Sequence, residues 1–263
     1  ATIMKRLSII TVCYNNLEGL KRTCNSVVGQ TVRSQFEWIV IDGASTDGTH
    51  EWLTEHDVEI DLWISEPDTG IYNAMNKGAR VASGDYMLFL NSGDELNGSD
   101  IVANCLPYFD GDTDFIYGDE LHFNPKTNES IRPWLPSHSF RPSDFIYHTL
   151  LHQATFIKRT GKSFYREDVG YLADWVFFME SVIRHDATMK RIPFTVSVFW
   201  LDGVSTIKSD SWGDDRKKIF CQLFSESLYE DLKQLYEIRR LPFFSIIAVS
   251  YTHLRAHETT LHL

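Results

Sequence analysis

Along the first half of the chain, short continuous apolar runs alternate with stretches whose apolar residues recur every three to four positions. Leu7 to Cys13, Phe36 to Ile41, Asp61 to Ser65 and Tyr86 to Leu90 are the runs. Continuous β-branched and aromatic runs of that length predict strands, and Tyr86 to Leu90 reads as one buried on both faces. Between the runs the spacing predicts helices: to about Gln30 after Tyr14-Asn15-Asn16, after the polar turn 44–49 with Asp47 or Thr49 as cap, and over 71–82. In the last of these Ile71, Met75, Ala79 and Ala82 make one apolar face. A helix over Ser99 to Phe109 and a short strand over Phe115 to Tyr117 follow. Regular alternation of strand and helix predicts an α/β fold with a mostly parallel sheet flanked by helices on both faces.

The second half has a different texture. Residues 124–142 are polar and proline-bearing without a sustained period, which predicts a long connection or short hairpins. His152-Gln153 should open a strand over Ala154 to Lys158. Leu172 to Arg184 reads as a helix with Asp174 in its first turn, Ile192 to Trp200 as a strand, 203–206 as a turn, and Trp212 to Arg240 as one long amphipathic helix. The expected organisation is a catalytic domain over 4–200, a helical extension over 201–241 and a tail over 242–263. That tail, rich in His and Thr, has no helical period, lies outside the catalytic fold and reads as non-native. Met4 reads as a natural start.

The predicted strands of the first half end in polar patches: Tyr14-Asn15, Asp42, Asn91 to Asp94, and Asp119. Parallel strands would bring these to one edge, and ligands of open α/β sheets bind beyond the carboxyl ends of the strands. Asp94, on a Gly-flexed turn, suits a metal held mostly by substrate phosphates. The other reading is a solvated turn after a core strand.

Net charge changes the picture only by exclusion. At −11, the chain is a poor nucleic-acid surface, which needs clustered Lys and Arg. Four scattered cysteines without a C-x-x-C fit a reducing cytosol better than a zinc or redox-pair site. No run reaches transmembrane length, and no signal peptide is evident.

In this setting five motifs resemble, in order, those of the inverting family 2 glycosyltransferases of GT-A fold, bacterial polysaccharide-assembly type: SIITVCYNN, WIVIDGASTDGT, SEPDTGIYNAMNKG with GDYMLFLNSGDE, HQATFIKR and YLADWVFFM. The resemblance covers about 7–206. It implies a Rossmann-like GT-A sheet and transfer of a sugar from a nucleotide-sugar donor, UDP by default, to a saccharide or lipid-linked saccharide acceptor. The setting it implies is cell-surface polysaccharide synthesis on the cytoplasmic side, compatible with peripheral contact at the inner face of the membrane. Nucleotide-sugar binding falls to Cys13, Tyr14, Asp42, Asn76, Lys77, Ser92 and Gly93. A divalent metal, Mn2+ or Mg2+, falls to Asp94, and the catalytic base to Asp174. Lys77 is open between a phosphate contact and a solvated helix lysine, and Asp174 between a base and a helix-dipole partner. His152 and Gln153 are open between acceptor or diphosphate contacts and core hydrogen bonding. Trp200, with Trp212, is open between an acceptor wall and buried packing, and Asp119 is a weaker candidate. The motif Asn91-Ser92-Gly93-Asp94 carries one carboxylate where many relatives have two or three. A sugar-phosphate nucleotidylyltransferase would need a Gly-rich, cationic loop after the first strand, and TVCYNNLEGLK is not one. A non-catalytic nucleotide-sugar or carbohydrate-binding module is the alternative from another class.

Overall fold

The computed structural model describes residues 6–133, 139–161, 164–201 and 212–241, with Trp212 described in its backbone alone. The tail over 242–263, Met4 and the turn over 203–206 lie outside the described residues. In chain order the elements are β1 (Leu7–Cys13), α1 (Leu17–Val28), β2 (Phe36–Asp42), α2 (Thr49–Glu55), β3 (Leu62–Ser65), α3 (Ile71–Val81), β4 (Tyr86–Phe89), β5 (Glu95–Leu96) and α4 (Ile101–Cys105). Then come β6 (Phe115–Asn124), β7 (Glu129–Ile131), β8 (Thr155–Lys158), α5 (Ala173–His185), β9 (Met189–Trp200), α6 (Trp212–Leu223) and α7 (Glu226–Arg239).

Among the described residues the strands form one sheet in the order β3-β2-β1-β4-β8-β6-β9-β5, with β7 paired to β6. Pairs β2–β3, β1–β2, β1–β4 and β6–β9 are parallel, whereas β8 runs antiparallel to both its neighbours. One face buries Leu7, Ile9, Trp38, Val40 and Leu88 against Leu20, Cys24 and Val27 of α1, Leu53 of α2 and Val102 of α4. On the other face α3 lies so close that a Cβ on Gly78 would collide with Ile10 Cγ2. Farther along that face, Phe177 and Phe178 of α5 pack their rings on Phe115. The expected α/β sheet with helices on both faces is therefore present.

Several boundaries differ from expectation, each for a local reason. Pro107, which lacks an N–H, tightens the expected helix after Cys105 into a 3-10 turn, Leu106–Tyr108. His152-Gln153 forms a 3-10 turn, His152–Ala154, and the strand begins only at Thr155. Of the two readings of 124–142 the described part takes the hairpin, β6 turning into β7 through Asn128 at φ 58°. Asp119 is not at a strand end: β6 continues through an irregularity at Tyr117–Glu120 to Asn124, and Asp119 meets Arg191 at 2.8 Å instead of joining the site. The single C-terminal helix is two, because Ser225 caps α7 by accepting from Leu228 N at 3.2 Å.

The chain divides into two compact units, residues 1–140 with 149–208, and 141–148 with 209–263. The second gathers the 141–148 segment onto α6 and α7: Arg216 donates to Tyr147 O at 2.8 Å, Arg239 to Ser143 Oγ at 2.8 Å, and Tyr147 to Glu237 at 3.0 Å.

Candidate active site

The carboxyl ends of β1, β2 and β4 open on a cleft of about 1000 Å³. Its lining includes Cys13 and Tyr14 after β1, Gly43 after β2, Pro67 and Asp68 ahead of α3, Asn91 to Asp94 after β4, and Phe199 and Trp200 at the end of β9. Of the candidate residues, Cys13, Tyr14, Ser92, Gly93, Asp94 and Trp200 thus meet in one cleft. Asp42, Asn76, Lys77, His152, Gln153 and Asp174 are not among its lining residues.

Tyr14 is 66% exposed. Beside it lies Gly43, where a Cβ would meet Asp68 Oδ2 at 2.5 Å and Tyr14 Cδ2 at 3.1 Å and crowd both side chains. Asp42 is fully buried, and its carboxylate accepts from Ser45 Oγ at 2.5 Å, Ser65 Oγ at 2.6 Å and Ser45 N at 3.2 Å. Its lone pairs fix the turn that follows β2 instead of reaching the cleft. Asn76 uses its amide as a peptide would, donating to Tyr165 O at 2.8 Å and accepting from Tyr165 N at 2.8 Å. Lys77 donates to Pro67 O and to Glu66, both at 2.8 Å, and so holds the loop that carries Asp68.

The turn after β4 is held from α1. Asn16, the N-cap of that helix, donates to Ser92 O at 2.9 Å and accepts from Gly19 N at 3.2 Å. Fully buried Thr23 donates to Asp94 O at 2.8 Å and accepts from Gly93 N at 3.0 Å. Gly93 needs its place there, with φ at 107°. Arg22 donates to Gly93 O at 3.2 Å and lays its guanidinium 3.6 Å from the centre of the Trp200 ring, whose Nε1 donates to Glu95 at 2.6 Å.

Asp94 is 5% exposed. Burial first, and then the charge of Glu120, push its carboxyl well above the usual carboxylate range, against hydrogen bonds from the Gln153 side chain and the Trp200 backbone. Among the described residues no group of three or more His, Cys, Asp or Glu could hold a metal by itself. The donor set nevertheless fits a divalent ion on a diphosphate, which takes one or two carboxylates and fills the rest with phosphate and water. An acidic side chain buried near a second carboxylate is also an environment that a cation relieves.

Behind Asn91 stands a second group. Asn91 Nδ2 lies 3.2 Å from His152 Nε2, and His152 Nδ1 lies 3.6 Å from Asp174 Oδ2. Asp174 Oδ1 accepts from Trp175 N at 2.6 Å, so the first turn of α5 orients the carboxylate. Burial, and then the Asp174 charge, push the Tyr72 hydroxyl well above its ordinary range.

The sequence pattern described as Glycosyl transferase family 2 matches residues 8–170, more than half of the chain. The chain belongs to glycosyltransferase family 2. The matched span ends just before Asp174. An uncharacterized glycosyltransferase of Mycobacterium tuberculosis is 44% identical over 105 residues, 40% of either chain. A PGL/p-HBAD biosynthesis glycosyltransferase of Mycobacterium bovis is 31% identical over 119 residues, 43% of this chain and 46% of that one. The chain's match thus spans less than half the length of either curated relative. Among solved structures, S. aureus TarS 1-349 in complex with UDP-GlcNAc has a TM-score of 0.68 at 14% identity, over 92% of this chain and 75% of that one. The mannosyltransferase PcManGT from Pyrobaculum calidifontis, in complex with GDP-Man and Mn2+, has a TM-score of 0.60 at 18% identity, over 97% and 80%. At those identities the likeness establishes the GT-A fold of this glycosyltransferase. No described helix is long and apolar enough to cross a membrane.

Sequence reasoning missed Arg22, Thr23 and Asp68. Arg22 and Thr23 look like ordinary residues of an amphipathic helix, and only the fold turns them toward the 92–94 turn. Asp68 had a signal, its place in a Pro-x-x-Gly turn beside a strand end, but that signal is shared with solvated turns.

Proposed function

We propose that this glycosyltransferase moves a sugar from a nucleoside-diphosphate donor, UDP-linked, to a hydroxyl of a saccharide or lipid-linked saccharide, with inversion, in cell-surface polysaccharide assembly. Its place is the cytoplasmic side, with peripheral contact at the inner face of the membrane. The nucleotide-sugars named with TarS and PcManGT, and the PGL/p-HBAD biosynthesis named for the mycobacterial relative, support the donor class and the setting.

The observation that carries the reading is a pair of carboxylates from separate parts of the chain. Asp94 is at the cleft, and Asp174 is joined to the cleft wall through His152 and Asn91. In this reading Tyr14 stacks on the base, while Asp68 beside it offers an acceptor oxygen to a base N–H. Cys13, Ser92 and Gly93 line the path of ribose and diphosphate, and Trp200 faces the acceptor. A divalent cation at Asp94 would offset the charge of the departing diphosphate. Asp174 takes the acceptor proton, on the side of the anomeric carbon away from the leaving group, which is what inversion requires.

Asp174→Asn, nearly isosteric, tests the reading. Transfer at saturating donor should fall by at least about 10²-fold, with donor affinity and melting temperature kept. Transfer near the wild-type rate would remove Asp174 as base. Donor affinity without any turnover in the wild type would make the protein a binding module.

A further inference from the structure

We propose that His152 is a positioning residue for Asp174: its Nδ1–H fixes the Oδ2 oxygen that receives the acceptor proton, and Asn91 holds the imidazole in the tautomer that allows it. The proposal rests on the reading of Asp174 as the base.

His152 sits in the 3-10 turn before β8 and is 9% exposed. Its Nε2 has Asn91 Nδ2 at 3.2 Å, while its Nδ1, 3.6 Å from Asp174 Oδ2, is buried without a hydrogen-bond partner among the described residues. Asn91 Oδ1 is likewise buried and unpartnered. Buried polar atoms without partners are uncommon and costly, so such a pair beside a cleft marks a place that something completes. The tautomer follows from the neighbours. With Nε2 accepting from the Asn91 amide, the ring proton is on Nδ1. The opposite tautomer would set a bare lone pair against the Asp174 carboxylate.

The two oxygens of Asp174 then have separate tasks. Oδ1 is taken by Trp175 N at 2.6 Å, on its own helix. Oδ2 faces His152 Nδ1, and the Tyr72 hydroxyl also hydrogen-bonds the carboxylate. A gap of 3.6 Å is long for a hydrogen bond, and hydrogen bonds of ligand-free catalytic sites commonly tighten once substrate is bound. The other titratable groups facing Asp174 are Tyr72 and Tyr165, whose hydroxyls are held well above their ordinary range by burial first and by the Asp174 charge second. Both therefore stay neutral where the base works.

Two substitutions separate the ring nitrogens. The amide nitrogen of Asn falls near the place of Nδ1, and that of Gln near Nε2. His152→Asn should keep transfer within about threefold of wild type, and His152→Gln should lower kcat by about 10–100-fold, the scale of a misplaced catalytic group. Donor KM should hold in both. A carboxylate that loses a donor binds its proton more tightly, so the acid limb of kcat should move to higher pH in His152→Gln and stay put in His152→Asn. Equal losses in the two variants, or losses carried by donor KM, would overturn the positioning role. Asp174→Asn run beside them keeps the failures apart: if it transfers normally, the base reading has failed, and if it is inactive while the two His152 variants behave alike, only this proposal has. Nitrogen NMR of wild-type His152 needs no folded variant. The Nδ1–H tautomer is expected, and the Nε2–H tautomer would overturn the proposal.

Discussion

On the side of the cleft proposed for the nucleotide, the polar groups are satisfied by the fold itself: Asp42 holds Ser45 and Ser65, and Asn16 and Thr23 hold the turn at 92–94. Around the start of α5, Asn91 Oδ1, His152 Nδ1 and the Tyr165 hydroxyl are buried without a partner among the described residues. One side is closed by the fold's own hydrogen bonds, and on the other three buried polar atoms lack a partner among the described residues. The difference predicts how substitutions divide. Changes to those satisfied polar groups should cost stability and affinity together, whereas changes around Asp174 should cost turnover with little cost in stability.

The largest stability effect should come from Asp42→Ala. It leaves two hydroxyls and one amide without their acceptor at a fully buried point, a loss of about 2–4 kcal/mol. Urea unfolding measures it, and a midpoint like that of wild type would mean that Asp42 is not the tie described. Thr23→Val keeps the shape and removes both hydrogen bonds to the turn, so about 1–2 kcal/mol is expected, with weaker donor binding alongside. Loss of stability without loss of affinity would separate the turn from the donor site. Gly43→Ala should leave the melting temperature nearly unchanged while lowering nucleotide affinity by about tenfold, or about 1.4 kcal/mol, because its Cβ would crowd Asp68 and Tyr14. Wild-type affinity in that variant would put the base elsewhere.

The smallest effect belongs to pH and to the second compact unit, which serves as a control. Burial first, and then the charges of Arg216 and Arg240, hold the His148 imidazole down to about 4. The unfolded residue takes up its proton near pH 6.5, so stability should be lost as pH falls from there toward 4, with nothing further lost below. Melting curves across that window should show the slope in wild type and not in His148→Gln. Equal slopes would assign it to other groups.

How much was legible in the sequence follows the same division. β1, β2 and β4, with the turns after them, are readable because each is a continuous apolar run that stops at short polar residues. Asp42 shows what such a pattern omits: its position at a strand end is legible, but the occupation of its carboxylate by Ser45 and Ser65 depends on how two loops meet. In the sequence Gly118-Asp119 resembles a strand stop, whereas β6 runs on beside β9 and only its register shifts there. The adjacency of Asn91, His152 and Asp174 joins residues 61 and 22 apart in sequence. No local period reports it, and the antiparallel insertion of β8 between β4 and β6 creates it.

Titration calorimetry with UDP and Mn2+ tests the division most directly, on wild type, Asp94→Ala and Asp174→Asn. Metal-dependent binding should be lost in Asp94→Ala and kept in Asp174→Asn. Unchanged binding in Asp94→Ala, or its loss in a folded Asp174→Asn, would contradict the assignment of donor and base to separate sides of this site.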